Sequence, residues 1–163
     1  MENSVQARKA TTNDIQTLVA LMKDFYAEAI FSLDEQWAAD AFRSLLENGD
    51  RGCVWIACIG TEAAGHAVLT VRFTMEHGGM SGYVDDLFVE EKHRRKGAAH
   101  LLLTELEEEC HARKCKAIIV EVAENNPPAQ GAYAKSGLNL VDDGRVLFRK
   151  VLSFDKQTGE GDR

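Results

Sequence analysis

A basic run, Lys92, His93, Arg94, Arg95 and Lys96, followed by Gly97, stands between an apolar stretch ending at Val89 and an amphipathic one beginning near Lys96. A basic turn between a strand and a helix can bind an anion. The first amides of a helix have no intrahelical acceptor, and the helix dipole adds roughly half a positive charge at the same point. A phosphate fits such a place. The turn is not a P-loop, which needs Gly, four residues and then Gly-Lys-Ser/Thr, nor a dinucleotide turn, which needs three glycines and a distant acidic residue. Other side chains capable of chemistry are the carboxylates Asp85, Asp86 and Glu121 and the phenol of Tyr133.

The elements that must hold these groups follow from periodicity. Residues 5–10 read as a strand, and Thr11, Thr12 and Asn13 are N-cap candidates for a helix starting near Asp14. Ile15, Leu18, Val19, Met22, Phe25 and Tyr26 give that helix one apolar face. A second helix is predicted over 34–47, ended by Asn48 and Gly49. Residues 53–59 and 63–73 read as an antiparallel hairpin, with a loop at His77 to Gly79. A strand over 83–89 precedes a helix from about Lys96 to Arg113, with Ala99, Leu102, Leu103, Leu106 and Cys110 on one face. The run 117–122, apolar except for Glu121, predicts a strand covered on both faces and parallel to 83–89. Pro127 and Pro128 open a short helix carrying Tyr133 and closed by Gly137. Residues 138–141 and 145–152 read as a last hairpin. The fold class is therefore α/β in the mixed, α+β sense.

With 163 residues, 45% of them hydrophobic, the chain supports one core. A single domain is expected over 1–154, with a polar, disordered tail over 155–163. No apolar run approaches twenty residues and the N-terminus has no hydrophobic signal core, so a cytoplasmic protein with no membrane partner is expected. A net charge of -7 argues against nucleic acid as a general partner, because such binding neutralises backbone phosphates. Cys53, Cys58, Cys110 and Cys115 are read as buried thiols rather than a metal cage, since Cys53 and Cys58 point to opposite faces of one strand. No metal is expected.

Arg94, two residues, Gly97, one residue and Ala99 resemble the pyrophosphate loop of the GNAT superfamily, the acetyl-CoA-dependent N-acetyltransferases. Asn126, Pro128, Ala129, Tyr133, Lys135, Gly137 and Leu138 resemble its second signature. The likeness covers roughly 83–138. It implies a central, mostly antiparallel sheet with one parallel strand pair, splayed at its C-terminal end, and about four helices. It also implies acetyl-CoA as cosubstrate. The pantetheine arm and acetyl group would lie along the backbones of Leu87, Phe88 and Val89, and Arg94, Arg95, Lys96, Gly97, Ala98, Ala99 and His100 would hold the pyrophosphate. Asn126, Pro128 and Tyr133 would flank the cofactor. Ala99 stands where the family often has glycine, and Ala132 replaces a bulkier residue beside the tyrosine.

Acetyl transfer to an amine needs a neutral nucleophile, and an alkyl ammonium with a pKa of about 10 is almost wholly protonated at neutral pH. Strand alternation predicts Asp85 with Leu87 on one face and Asp86 with Phe88 on the other. Asp85 is the chosen base, because it occupies the place of an acidic residue in the polyamine acetyltransferases that this segment resembles. Glu121 is assigned amine binding or proton relay, and Tyr133 the proton donor to the leaving thiolate. Phe25 and Tyr26 are expected beside the acceptor. The predicted reaction is direct acetyl transfer from acetyl-CoA to a primary amine of a small molecule, in a ternary complex. A protein lysine or N-terminal acetyltransferase and a non-catalytic acyl-CoA sensor are the alternatives. A homodimer is compatible with the family and with open strand edges.

Overall fold

The computed structural model describes residues 4–152. The five strands are β1 (Val5–Lys9), β2 (Gly52–Ile59), β3 (Glu62–Thr74), β4 (Gly79–Val89) and β5 (Ile118–Val120); the helices are α1 (Ile15–Glu28), α2 (Glu35–Leu46), α3 (Ala98–Ala112) and α4 (Pro127–Lys135). The strands lie in chain order, β1-β2-β3-β4-β5. Every neighbouring pair is antiparallel except β4 and β5.

Two cores form because the sheet has two apolar faces. On one, Ile15, Leu18, Val19 and Met22 of α1 and Ala38 and Phe42 of α2 pack on Val54, Ile56 and Val68. Their three- and four-residue spacing puts each set on one stripe of its helix. On the other face, Ala98, Leu102, Leu106 and Cys110 of α3 pack on Ala57, Ala67, Leu69, Val84 and Val89. Burying one such leucine contributes roughly 2 kcal/mol, so these stripes fix where each helix starts and points. Gly82 sets the approach of α3 to β4, since a Cβ there would stand 2.4 Å from Cys110 Sγ.

Capping chemistry sets the helix entries. Asp34 accepts from the Trp37 amide at 3.0 Å and starts α2. Asp14 accepts from both Arg8 guanidinium nitrogens, at 2.7 and 3.0 Å, and from the Thr11 amide at 2.8 Å, so it ties β1 to the start of α1. Arg8 above all, with the Thr11 amide, holds the Asp14 carboxyl down at about 2. A depressed carboxylate stabilises the fold above its unfolded pKa and loses that contribution as pH falls through its folded value. Asp14→Asn is expected to cost about 1–2 kcal/mol at pH 7, less than the full shift implies because Arg8 is half exposed. Urea denaturation of the two proteins should show the difference shrinking as pH drops from 4 towards 2.

The structure departs from the sequence reading in three places. β4 begins at Gly79, four residues before the predicted 83, because it pairs with β3 back to a tight turn over 75–78. α3 starts at Ala98, since Gly97 has φ 90° and cannot continue a right-handed helix. The largest departure is at the C-terminal end. β5 spans only three residues and is half-buried rather than covered on both faces, and residues 138–152 form no ladder. Leu140, Val146 and Phe148 are exposed. The predicted turn is held by side chains instead, with Asp143 and Glu76 both accepting from Arg145. The tail predicted over 155–163 lies outside the described residues. No described helix is long and apolar enough to cross a membrane.

Candidate active site

β4 and β5 are paired only through Gly82↔Ile118, Tyr83↔Ile119 and Val84↔Val120. β4 then runs on to Val89, still paired with β3 on its other side, while β5 has ended. Main-chain groups of Asp85 to Val89 that face away from β3 therefore meet no strand among the described residues, and such groups require partners. Leu87, Phe88 and Val89 line this open side with their backbones.

The turn beyond β4 presents amides to the same place. Arg95 has φ 61° and Gly97 φ 90°, a left-handed conformation that costs a non-glycine residue on the order of 1 kcal/mol and recurs where backbone amides converge on an anion. The Leu101 amide donates to the Gly97 carbonyl at 3.0 Å, and no side chain caps α3. The amides of Ala98, Ala99 and His100 thus have no acceptor within the helix. Arg95 and Lys96 are exposed beside them. Arg94 is employed differently: its Nε donates to the Val89 carbonyl at 2.9 Å and its Nη2 to both Glu28 oxygens at 2.6 Å. Its guanidinium braces the end of β4 against α1.

A β-bulge places the aspartates. Val68 faces Asp86 and Leu69 faces Val84, which leaves Asp85 without a partner on β3. The extra residue brings both carboxylates to one face. Asp85 accepts from Thr70 Oγ1 at 2.6 Å, and Thr70 stands opposite Tyr83. Asp86 stands opposite Val68, a member of the core under α1 and α2. The prediction that the two aspartates point to opposite faces is therefore wrong: strict alternation fails at a bulge. Asp85 is exposed and Asp86 is only 8% exposed. Burial, with a smaller push from the Asp85 charge, raises Asp86 to about 6. Tyr133, also buried, is raised to about 12 by burial and then by Asp86.

Glu121 lies exposed just past β5. The Tyr83 hydroxyl is raised by burial and then by its interaction with Glu121. Phe25 stacks on Phe88 with ring centroids 5.4 Å apart, and Tyr26 meets Phe25 edge-on at 6.0 Å. Phe88 is also in the wall of a cleft of about 420 Å³ lined by Asp24, Glu28, Glu90, Glu91 and Lys92. Asn126 caps α4, its Oδ1 accepting from the Ala129 amide at 3.3 Å, and Pro127 and Pro128 occupy the first helical positions. Asn126 and Pro128 thus set the position of Tyr133. Sequence reasoning counted Asp86 among the nearby carboxylates but chose Asp85 over it, and passed over Tyr83. The Asp-Asp doublet was visible, but nothing in it marks the bulge.

The arrangement is a strand gap ending at uncapped helix amides, with a buried acid and a buried phenol at its mouth. The model of the acetyltransferase (GNAT) family matches residues 18–138. The integron cassette protein HFX_CASS3, from the mobile metagenome of Cole Harbour Salt Marsh, is 37% identical, with 91% of each chain covered and a TM-score of 0.81. Two more distant structures share the fold. A predicted acetyltransferase from Clostridium acetobutylicum, solved with acetyl-CoA, is 22% identical over 88% of this chain and 96% of its own, with a TM-score of 0.73. The aminoglycoside N-acetyltransferase AAC(6')-Iy, solved with CoA, is 16% identical over 90% and 94%, with a TM-score of 0.78. A search of curated protein sequences finds no match. With a family match across most of the chain and the fold to go with it, the protein belongs to the GNAT family of acetyltransferases and is an acyltransferase.

Proposed function

We propose that the protein transfers an acetyl group from acetyl-CoA to a primary amine of a small cationic molecule, by direct attack in a ternary complex. The observation that carries this reading is that β4 runs on beyond the end of its pairing with β5 at Val84↔Val120, towards the uncapped amides of α3. The residues present fit the cosubstrate. Unpaired backbone at Leu87, Phe88 and Val89 suits the amides of a pantetheine arm in the manner of strand addition, and the amides of Gly97 to His100, with Arg95 and Lys96, suit a pyrophosphate. Arg94 acts as a brace for the end of β4 rather than as a phosphate ligand. Acetyl-CoA supplies an activated acyl carbon and a thiol leaving group.

The chain's own groups handle the protons and orient the acceptor. Asp85, exposed on the bulge, receives the incoming ammonium; of the two protons its nitrogen sheds on the way to the amide, one goes to water and Asp86 accepts the other. A carboxylate with a pKa of about 6 is the better base by about two units over an ordinary aspartate. Glu121, next to Tyr83, offers a second carboxylate for amine binding or relay through water. Tyr133 keeps its proton at working pH and donates towards the sulfur. Phe25, Tyr26 and Phe88 form an apolar wall beside Asp24, Glu28, Glu90 and Glu91, a combination suited to an alkyl chain bearing a second cation. The free edge of β5 and the exposed apolar side chains of 138–152 support association into a homodimer.

Acetyl-CoA-dependent thiol release, measured against diamines, amino acids, aminoglycosides and lysine peptides, tests the reading. Turnover is expected with small amines carrying at least two positive charges, at kcat/KM at least about tenfold above any peptide. Turnover confined to peptides would overturn the acceptor class. Failure to bind coenzyme A would overturn the whole reading.

A further inference from the structure

We propose that Glu62, Glu90 and His93 form a binding site for a divalent cation of the zinc class, immediately upstream of the turn that leads into α3. Glu62 opens β3, Glu90 follows β4, and His93 ends the short 3-10 turn Glu91–His93. One ligand atom from each lies within 4.8 Å of the others. The site shares Glu90 with the acidic wall of the acceptor cleft, but it uses none of Asp85, Asp86, Glu121 and Tyr133 and does not depend on the acetyl-transfer chemistry.

Two carboxylates on a surface do not make a metal site, so the argument rests on the imidazole. The His93 side chain is 8% exposed, and among the described residues neither ring nitrogen makes a hydrogen bond. Burying such a group unpaired is costly. Among the described residues Glu90 Oε2 is likewise buried without a hydrogen bond, with the Lys92 ammonium at ion-pair distance. His93 Nε2 lies 3.4 Å from Glu62 Oε2 and 3.6 Å from Glu90 Oε2. A charge-assisted hydrogen bond would bring these atoms to about 2.7–2.9 Å. Ligands held about 2.0–2.1 Å from a tetrahedral ion stand roughly 3.3–3.4 Å apart, so the nitrogen already stands at nearly that spacing from each of the two oxygens.

The position also attracts a cation as it stands. The Lys92 ammonium contacts Glu62 and lies 3.4 Å from Glu90 Oε2. Its side chain is 60% exposed, and an exposed pair of this kind is worth at most about 1 kcal/mol. A dication can therefore displace it into water. One imidazole and two carboxylates match zinc, with water as fourth ligand, better than calcium, which takes six to eight oxygens, or magnesium, which holds its waters. A bound ion would join the turn between β2 and β3, the end of β4 and the segment just before Arg94. It would stiffen the anion-binding turn without touching the reacting atoms.

The test is titration calorimetry of zinc into chelator-treated full-length protein. The expected result is one equivalent bound with micromolar affinity. Outer ligand-supporting groups are worth about 10–100-fold in affinity, so loss of a ligand in Glu62→Gln or His93→Gln should weaken binding at least about tenfold. Glu62 is half exposed at the first residue of β3, so its variant keeps the test valid should the histidine variant fold poorly. Lys92→Ala should tighten binding several-fold by removing the competitor. Because four cysteines are free, cobalt(II) serves as a second probe, and its spectrum should lack thiolate charge-transfer bands. No zinc binding, equal binding by wild type and Glu62→Gln, no tightening in Lys92→Ala, or a thiolate spectrum would each overturn the proposal.

Discussion

Tyr133→Phe is expected to lower kcat by about 10²–10³-fold, the range for loss of a positioned proton donor, while coenzyme A affinity stays within about twofold because the ring is kept. The direction follows from the environment of the hydroxyl. Burial and the nearby Asp86 raise it to about 12, so it is protonated across the whole working range. A thiolate leaving group has an affinity for a proton like that of a free cysteine, with a pKa of about 8.5. A phenol at about 12 would not give up its proton outright to such a base; the gap of more than three units is unfavourable by about 5 kcal/mol. On the proposed mechanism Tyr133 therefore donates a hydrogen bond as the C–S bond breaks, and passes a proton on only if its own is replaced. Asp86, after taking the proton of the amine, is the acid that can replace it. Net transfer then runs from a group near 6 to one near 8.5, which is downhill. Stopped-flow measurement of thiol release, with calorimetry of coenzyme A binding, checks both halves. A variant that keeps more than about a third of wild-type kcat would reduce Tyr133 to a packing residue.

The parts of this site that were legible in the sequence are those built by local chemistry. The basic turn and Gly97 lie at the strand-to-helix junction they announced, and the stripe Leu102, Leu106 and Cys110 packs on the sheet as its spacing required. Asn126, Pro127 and Pro128 start the helix of Tyr133. What could not be read depended on distant partners or on register. Arg94 stands in the signature of an anion loop, but Glu28, 66 residues earlier, takes its guanidinium. The faces of Asp85 and Asp86 are decided by the pairing of β4 with β3, where one residue too many turns alternation into a shared face. The segment 138–152 has the composition of strands, yet β5 offers only a three-residue edge and no ladder forms along it. Side-chain pattern gives the tendency to extend; it does not supply the hydrogen-bond partner.

Asp86→Asn should separate stability from activity, with opposite signs. Burial, aided by the charge of Asp85, lifts the Asp86 carboxyl from the ordinary aspartate value of about 4 to about 6. A carboxyl whose folded pKa is raised favours the fold while it is neutral in both states, below about pH 4. That contribution is lost as pH rises through 6, because the unfolded chain ionises freely and the folded one must carry a buried charge. Two units correspond to roughly 3 kcal/mol. Asn is uncharged at every pH, so the variant should be more stable than wild type by about 2–3 kcal/mol at pH 8, by less at pH 5, and not at all below pH 4. Its activity should move the other way: kcat falls on the order of 10²-fold with loss of the base, and the rise of kcat/KM through pH 6 disappears. Urea melts at three pH values and a pH–rate profile decide it. Equal destabilisation at pH 5 and pH 8 would mean that the carboxylate is held by a structural partner and carries no strain for catalysis. A limb that persists at pH 6 in the variant would move the base to Asp85 or Glu121. A more stable but inactive variant is the outcome that requires Asp86 to be kept, at a cost to the fold, for the proton it takes from the amine.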